Sequence, residues 1–480
     1  MVEVRKTKFG IIWNFIEKFS SQFLTLVINI ILARLLSPHE YGTIGMLSIF
    51  LTFSNVFIDC GFSRALIQKQ DRNESDYSTA LFYNIVVSTL IYVILFLASP
   101  FIADFYKMPD LVRIERVFFL VLILNSLYLV QNVQLQVAVN FKRIALINTL
   151  SQFLSGIIAI VCAYNKLGVW SLVIQSLSRS FICNILYWIL GKWLPCLRIS
   201  LKSLKHLFNY GSKILVSGLL GNFADGLINM LIGKAYSPSD LGYYTRAQQF
   251  PEISAGTVAS VLSTTTFPLL SSLQNDYEEF RKIYVKLIKL VSLFIFPIMI
   301  GLAVLSKQVI LFLLGEQWFF ASDLMFWLSL AYVFSPMNIV NTNVLNAIGR
   351  TDVYMKLSFI KIPLDLIIFL ITYRISLQVV VISRAVSCIL YFYINGFYTG
   401  KVYDFSPTKQ LIACWKYILS ALIMGACVKT LTYFITNNGL CILISVLIGA
   451  IVYGSLLFFL KDEEFTLLLS KLLKRNIKGD

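Results

Sequence analysis

A chain of 480 residues with 58% hydrophobic and only 14% charged residues has too little polar surface to keep its outside wet. Soluble domains carry about 25% charged residues, so lipid must be the solvent for most of this chain. Its net charge of +16 comes from Lys and Arg spread through short loops, which excludes a nucleic-acid surface and points to membrane topology.

Apolar runs of about 20 residues, each enough to cross a bilayer, are separated by charged or Pro/Gly punctuation. They predict an all-α polytopic membrane protein with about fourteen transmembrane helices. In chain order the spans lie at 9–35, 41–67, 78–103, 113–139, 143–164, 168–192, 205–235, 240–268, 283–314, 320–346, 352–373, 376–399, 411–435 and 440–460. No segments of alternating polarity with hairpin turns occur, which excludes a transmembrane β-barrel. No connecting loop is long enough for a soluble domain, and the tail Lys461–Asp480 is short, amphipathic and basic. The start is basic too, but the apolar stretch after it carries Glu17 and Lys18 and no small-residue cleavage site, so it reads as a retained first helix. With the N-terminus inside, the inner segments hold 24 Lys and Arg against 7 outside. That bias puts both termini in the cytoplasm and requires an even number of spans.

The sequence repeats itself. Ser37, Pro38 and Gly42, between the first two spans, recur as Ser237, Pro238 and Gly242 after the seventh, 200 residues later. At the same offset Asn29 matches Asn229, and Asp76 and Tyr77 match Asp276 and Tyr277. Ser178, Arg179 and Cys183 recur as Ser383, Arg384 and Cys388. The repeat predicts two six-helix lobes in parallel orientation, at 1–200 and 201–402, with residues 403–480 an addition of two helices and a tail. Two-lobed repeats with a site between them are a transporter architecture.

A charge at the bilayer centre costs about 2.5–3.5 kcal/mol on insertion scales, so buried ones should face a cavity or one another. In the first span Asn14, Lys18, Gln22, Thr25 and Asn29 fall at spacings of three and four, one polar stripe on a helix. The seventh span has a similar stripe in Gly218, Asn222, Asp225 and Asn229, with Lys213 lower down and off the stripe; the eighth carries Arg246, Gln249 and Glu252. Lys18, Lys213 and Arg246 make such a cavity cationic and suited to a diphosphate or another anion. The competing expectation is packing, with Lys18 or Lys213 paired to Glu17, Asp225 or a backbone carbonyl. Asp59, Asp225, Glu252 and Asp365 are candidates for ion coupling or gating, although Lys361 and Asp365, four apart, have the spacing of an internal ion pair. Catalytic constellations are missing from the sequence. The two histidines, His39 and His206, have no acidic pair around them, no nucleotide-binding motif occurs, and none of the eight cysteines has metal-ligand spacing. The sequence therefore predicts no enzyme, no metal and no cofactor.

Several short blocks carry a family likeness: Arg34–Gly42, Asp59–Gly61, Ala65–Gln68, Gly168–Val173, Leu241–Ala247, Phe267–Ser271, Leu314–Trp318 and Asn346–Asp352. In order and spacing they resemble the polysaccharide-export branch of the multidrug/oligosaccharidyl-lipid/polysaccharide exporter superfamily, near its colanic-acid-type and teichuronic-acid-type exporters. The likeness covers the first twelve spans; the last two share only length and apolarity. It implies an alternating-access carrier that flips an isoprenoid-diphosphate-linked oligosaccharide in the cytoplasmic membrane, working as a monomer among membrane lipid, with a polysaccharide polymerase or glycosyltransferases as further partners. Lys18, Lys213 and Arg246 would then face the diphosphate, and Asn14, Gln22, Asn29, Asn222 and Asn229 the sugar hydroxyls. Two rival readings remain: a cation-coupled drug exporter of the same superfamily, which would favour buried carboxylates, and a membrane-embedded polymerase or glycosyltransferase, which would need a large domain or an acidic pair.

Overall fold

The computed structural model describes residues 20–191, 193–196, 199–273 and 276–477, and among them it holds helices and no strand. Helix α1 is described over Ser20–Leu35. It is followed by α2 (Pro38–Asp59), α3 (Phe62–Gln68), α4 (Glu74–Tyr106), α5 (Leu111–Phe118), α6 (Leu120–Val137), α7 (Phe141–Tyr164), α8 (Val169–Gly191) and α9 (Leu201–Ala235). Then come α10 (Pro238–Ser272), α11 (Tyr277–Val304), α12 (Ser306–Leu313), α13 (Phe319–Tyr332), α14 (Ser335–Ala347) and α15 (Thr351–Thr372). The last are α16 (Leu377–Tyr403), α17 (Pro407–Ala413), α18 (Trp415–Phe434), α19 (Asn438–Phe459) and α20 (Glu463–Ile477).

Among the described residues every expected span coincides with helix, and several are broken in two. The span at 41–67 is α2 plus α3, interrupted where Cys60 and Gly61 take left-handed backbone at φ 44° and 71°. Asp59 makes that break affordable by accepting hydrogen bonds from the Ser63 amide and hydroxyl, capping the new helix start. Ten helices among the described residues are long and apolar enough to cross a membrane. The expected spans at 9–35, 205–235, 240–268 and 352–373 each include residues or side chains outside the described set and are not among these ten. Along α4, Val86, Leu90, Val93, Leu97 and Phe101 are exposed at spacings of three and four. Such a continuous apolar face suits contact with acyl chains. The basic tail folds as α20.

The repeated turn has one physical job in both copies. At α2, Ser37 is the N-cap, Pro38 fills the first helical position, and the Glu40 carboxylate accepts from the Ser37 amide at 2.5 Å. At α10, Asp240 accepts from the Ser237 amide at 3.1 Å while the Ser237 hydroxyl accepts from the Asp240 amide at 3.1 Å. Both are capping boxes, with Pro where its missing N–H costs nothing. The Asp-Tyr repeat keeps less of its role: Asp76 sits inside the first turn of α4 and pairs with Lys69 at 2.7 Å, whereas Asp276 is itself the N-cap of α11.

Residues 1–242 and 243–480 form two compact units. In the first, α6 and α7 pack on α8, α4 packs on α6, and α9 lies against α2, α3 and α4. The unit boundary thus falls after α9, whereas the repeat boundary precedes it, because α9 begins the second copy yet packs on helices of the first. Helices approach closely at small residues, as membrane helices do: Gly156 of α7 leaves room for Ile28 of α1, where a Cβ would overlap the Ile28 side chain. In the second unit α11 packs on α18 and α13, α16 on α13 and α14, and α18 on α19.

Candidate functional site

The cationic candidates divide by what the structure describes. Asn14 and Lys18 lie outside the described residues, as do the side chains of Lys213, Asn222 and Asp225 on α9. On α1, Gln22 is exposed and Asn29 half-buried, with the Tyr41 hydroxyl 3.5 Å from the Asn29 carbonyl. Asn229 on α9 is half-buried. In the second unit Arg246 is half-buried and donates to Gln249 at 2.7 Å, while Glu252, one turn further along α10, is exposed.

The carboxylates turn out to have differing surroundings. Asp59 is engaged by Ser63 at the helix break. Asp365, 6% exposed on α15, lies 3.2 Å from the Arg384 guanidinium of α16. Lys361, expected to pair with Asp365, instead places its ammonium 5.3 Å from the centre of the Tyr391 ring, a cation–π arrangement. The pair therefore joins two helices rather than two turns of one. Glu115 of α5 is fully buried, and neither of its carboxyl oxygens has a hydrogen-bond partner among the described residues.

Two polar ladders escaped the reading of the sequence. In the first unit, Asn125, Tyr128, Asn132 and Gln136 follow one another along α6 at spacings of three and four. They meet α8 through Ser180, whose hydroxyl donates to Asn125 Oδ1 at 2.8 Å, and Tyr187, whose hydroxyl donates to Asn132 Oδ1 at 3.3 Å. All four α6 residues are half-exposed. In the second unit, the fully buried Tyr284 of α11 donates to Asn341 of α14 at 2.6 Å and accepts from Gln410 of α17 at 2.8 Å, with Thr399 of α16 at 3.0 Å. The first ladder is partly exposed along α6 and buried at its α8 partners Ser180 and Tyr187; the second is closed on itself and clamps four helices. The same spacing test that marked the first and seventh spans would have found the α6 ladder in the span at 113–139.

The second unit also contains an apolar cavity of about 660 Å³ between α11, α18, α19 and α20, lined among others by Leu293, Pro297, Met424, Val446 and Phe465. Its walls suit a hydrocarbon chain. Among the described residues no group of His, Cys, Asp and Glu is placed to hold a metal ion.

Residues 31–323 match the polysaccharide biosynthesis protein family. Among curated relatives, the chain is 26% identical over 345 residues to the teichuronic acid biosynthesis protein TuaB of Bacillus subtilis, covering 72% of this chain and 71% of that one. It is 23% identical to the lipopolysaccharide biosynthesis protein WzxC of Escherichia coli, over 65% of this chain and 64% of the relative. It is 24% identical to the succinoglycan biosynthesis transport protein ExoT of Rhizobium meliloti, over 64% and 63%. Among solved structures, the lipid II flippase MurJ in an inward closed conformation superposes with a TM-score of 0.77 at 17% identity, covering 94% of this chain and 99% of that one. An inward-facing multidrug resistance MATE family transporter of the MOP superfamily superposes with a TM-score of 0.62 at 14% identity, over 80% and 96%. These likenesses show that the chain shares the helical membrane-protein fold of both. With more than half of its length matched, this chain belongs to the polysaccharide biosynthesis protein family.

Proposed function

We propose that this protein flips isoprenoid-diphosphate-linked oligosaccharide repeat units across the cytoplasmic membrane by alternating access, supplying surface polysaccharide export. The observation that carries the reading is the pairing of family membership with polar, amide-rich helix faces set in an otherwise apolar helical bundle. A hydrated glycan cannot cross about 30 Å of hydrocarbon unaided, and half-exposed amides can replace the water it gives up. The relatives' names fit: one is a succinoglycan transport protein, and the structural neighbour is a flippase of a lipid-linked substrate. The apolar cavity of the second unit matches the chemistry of an isoprenoid tail.

In this reading Lys18, Lys213 and Arg246 hold the diphosphate by charge-assisted hydrogen bonds, and Asn14, Gln22, Asn29, Asn222 and Asn229 meet sugar hydroxyls. The lobes at 1–200 and 201–402 supply the moving halves. The protein acts as a carrier rather than an enzyme, as a monomer with both termini in the cytoplasm. Asp59 and Asp365, engaged by Ser63 and Arg384, fit structural duties, which leaves Asp225 and Glu252 as the carboxylates for ion coupling.

The test is flipping of a fluorescent isoprenoid-diphosphate oligosaccharide in proteoliposomes. The wild-type protein is expected to flip it, and the Lys18→Ala/Arg246→Ala variant to lose at least about tenfold in rate, the scale of a lost charge-assisted contact. Equal rates would remove the diphosphate site from these residues. No flipping by folded wild-type protein under a proton or sodium gradient would remove the function and favour drug export.

A further inference from the structure

In each copy of the repeat, the chain that leaves the sixth span folds back onto the start of the third. In the first unit this chain is the connector between α8 and α9, and it lies against the first turns of α4. Trp193 Nε1 donates to the Glu74 carboxylate at 2.5 Å, and the Trp193 ring meets Tyr77 edge-on with centroids 6.2 Å apart. Further along, the Cys196 amide donates to the Ser78 hydroxyl at 2.9 Å and the Ser200 amide to the Thr79 hydroxyl at 3.0 Å.

The second unit repeats the arrangement with different chemistry. Tyr277, the copy of Tyr77, stacks on Tyr403 with centroids 5.4 Å apart, and Phe280 stacks on the same ring at 4.3 Å. Arg281 Nε donates to the Tyr403 carbonyl at 3.1 Å. Tyr403 and Phe405 are only 4% and 5% exposed, so this chain is fastened among buried rings. Its counterpart is not. Trp193, Cys196 and Ser200 are half-buried and Glu74 is exposed, so water can take over their hydrogen bonds at small net cost. One copy of the contact is an anchor, and the other is built to let go.

The releasable copy sits on the connection that joins the two lobes. By the repeat α9 begins the second lobe, yet it packs on α2, α3 and α4 of the first. We propose that the α8–α9 connector is a clasp: closed on α4, it ties the start of the second lobe to the first, and it opens when the lobes rock. This rests on the flippase reading and adds the contact that gates the cycle.

The test uses a cysteine that the chain already has. Ser78 Oγ and Cys196 Sγ are 3.2 Å apart, so Ser78→Cys puts two sulfurs within reach of a disulfide. The full-length variant is reconstituted in proteoliposomes, and flipping of a fluorescent isoprenoid-diphosphate oligosaccharide is measured after oxidation and again after reduction. Oxidation is expected to stop flipping by the variant and reduction to restore it, while the wild-type protein is indifferent to both. Flipping at an equal rate with the disulfide formed would overturn the clasp, as would failure of the two cysteines to join. A second readout is independent of turnover: alkylation of Cys196, followed on its own peptide by mass spectrometry. Trp193→Ala/Glu74→Gln is expected to speed it several-fold, and an unchanged rate would overturn the clasp even if Ser78→Cys impaired the fold. Folded wild-type protein that flips nothing would overturn the flippase reading, and the alkylation result would then decide the clasp alone.

Discussion

Two buried acidic side chains show how much the neighbour matters. Asp365 has a guanidinium 3.2 Å away, so Arg384→Ala takes from a buried carboxylate its nearest counter-charge and leaves Lys361 as the remaining cation of that face. Removing one partner of a buried pair costs about 3–5 kcal/mol in soluble proteins, while polar contacts in membranes average nearer 0.6 kcal/mol. The expected result is a lowered thermal midpoint in detergent, partly recovered by adding Asp365→Leu. Glu115 is the opposite case, fully buried with no hydrogen-bond donor recorded to it among the described residues. Replacing an unsatisfied buried polar group by an apolar one of similar size is neutral or stabilising, so Glu115→Leu is expected to hold or raise the midpoint. A drop of several degrees would mean that the carboxyl has a duty in another conformation. Neither environment was legible in the sequence. The spacing of Lys361 and Asp365 suggested a pair within one helix, but Arg384, 19 residues away, is brought to the carboxylate by the packing of α16 on α15. Spacing reports which residues share a face and says nothing of what the face meets.

At the scale of elements, the sequence was read well where physics is local. Ser37 with Glu40 and Ser237 with Asp240 mark helix starts through contacts within four residues. The breaks inside spans were harder to read, because left-handed Cys60 is stabilised by α3 continuing on the far side and by packing of Phe62. Gly61 alone marks the place in 41–67, and a single glycine inside an apolar run does not by itself end a helix. One element-level contact is sharply constrained. A Cβ added to Gly42 would overlap the Pro238 carbonyl, and one added to Gly242 would overlap the Pro38 carbonyl. The first turns of α2 and α10 thus meet backbone to backbone. Gly42→Ala and Gly242→Ala are each expected to force these turns apart and cost about 1–3 kcal/mol, as overpacking does. Thermal midpoints of the purified variants check this; a midpoint equal to wild type would show that the turns separate freely. Gly256, where an added Cβ meets nothing within 4 Å, is the control.

For the molecule as a whole, composition and run length were enough to give a helical membrane protein, because the lipid solvent leaves few alternatives. The repeat was legible both at the caps and at Arg179 and Arg384, but the partner that Arg384 finds in Asp365 was not. The candidate site was legible only in part. Stripes on the first and seventh spans drew attention through their lysines, while α6, which has amides and no charge, passed as an ordinary apolar span. Orientation follows from charge bias alone and is open to a direct check. A fluorescent protein fused after Asp480 is expected to fold and emit, whereas alkaline phosphatase at the same place stays inactive. The reverse result would invert every loop assignment.

The meeting of Gly42 with Pro238, and of Gly242 with Pro38, has a bearing on ancestry and on engineering. Each copy of the duplicated motif is the other's mould, since the space one glycine leaves is filled by the other copy's main chain. A drift in either half is tolerated only with a matching drift in its twin. Chimeras that join the first half of this protein to the second half of a relative should therefore succeed or fail at these two turns, before any question of what they carry arises.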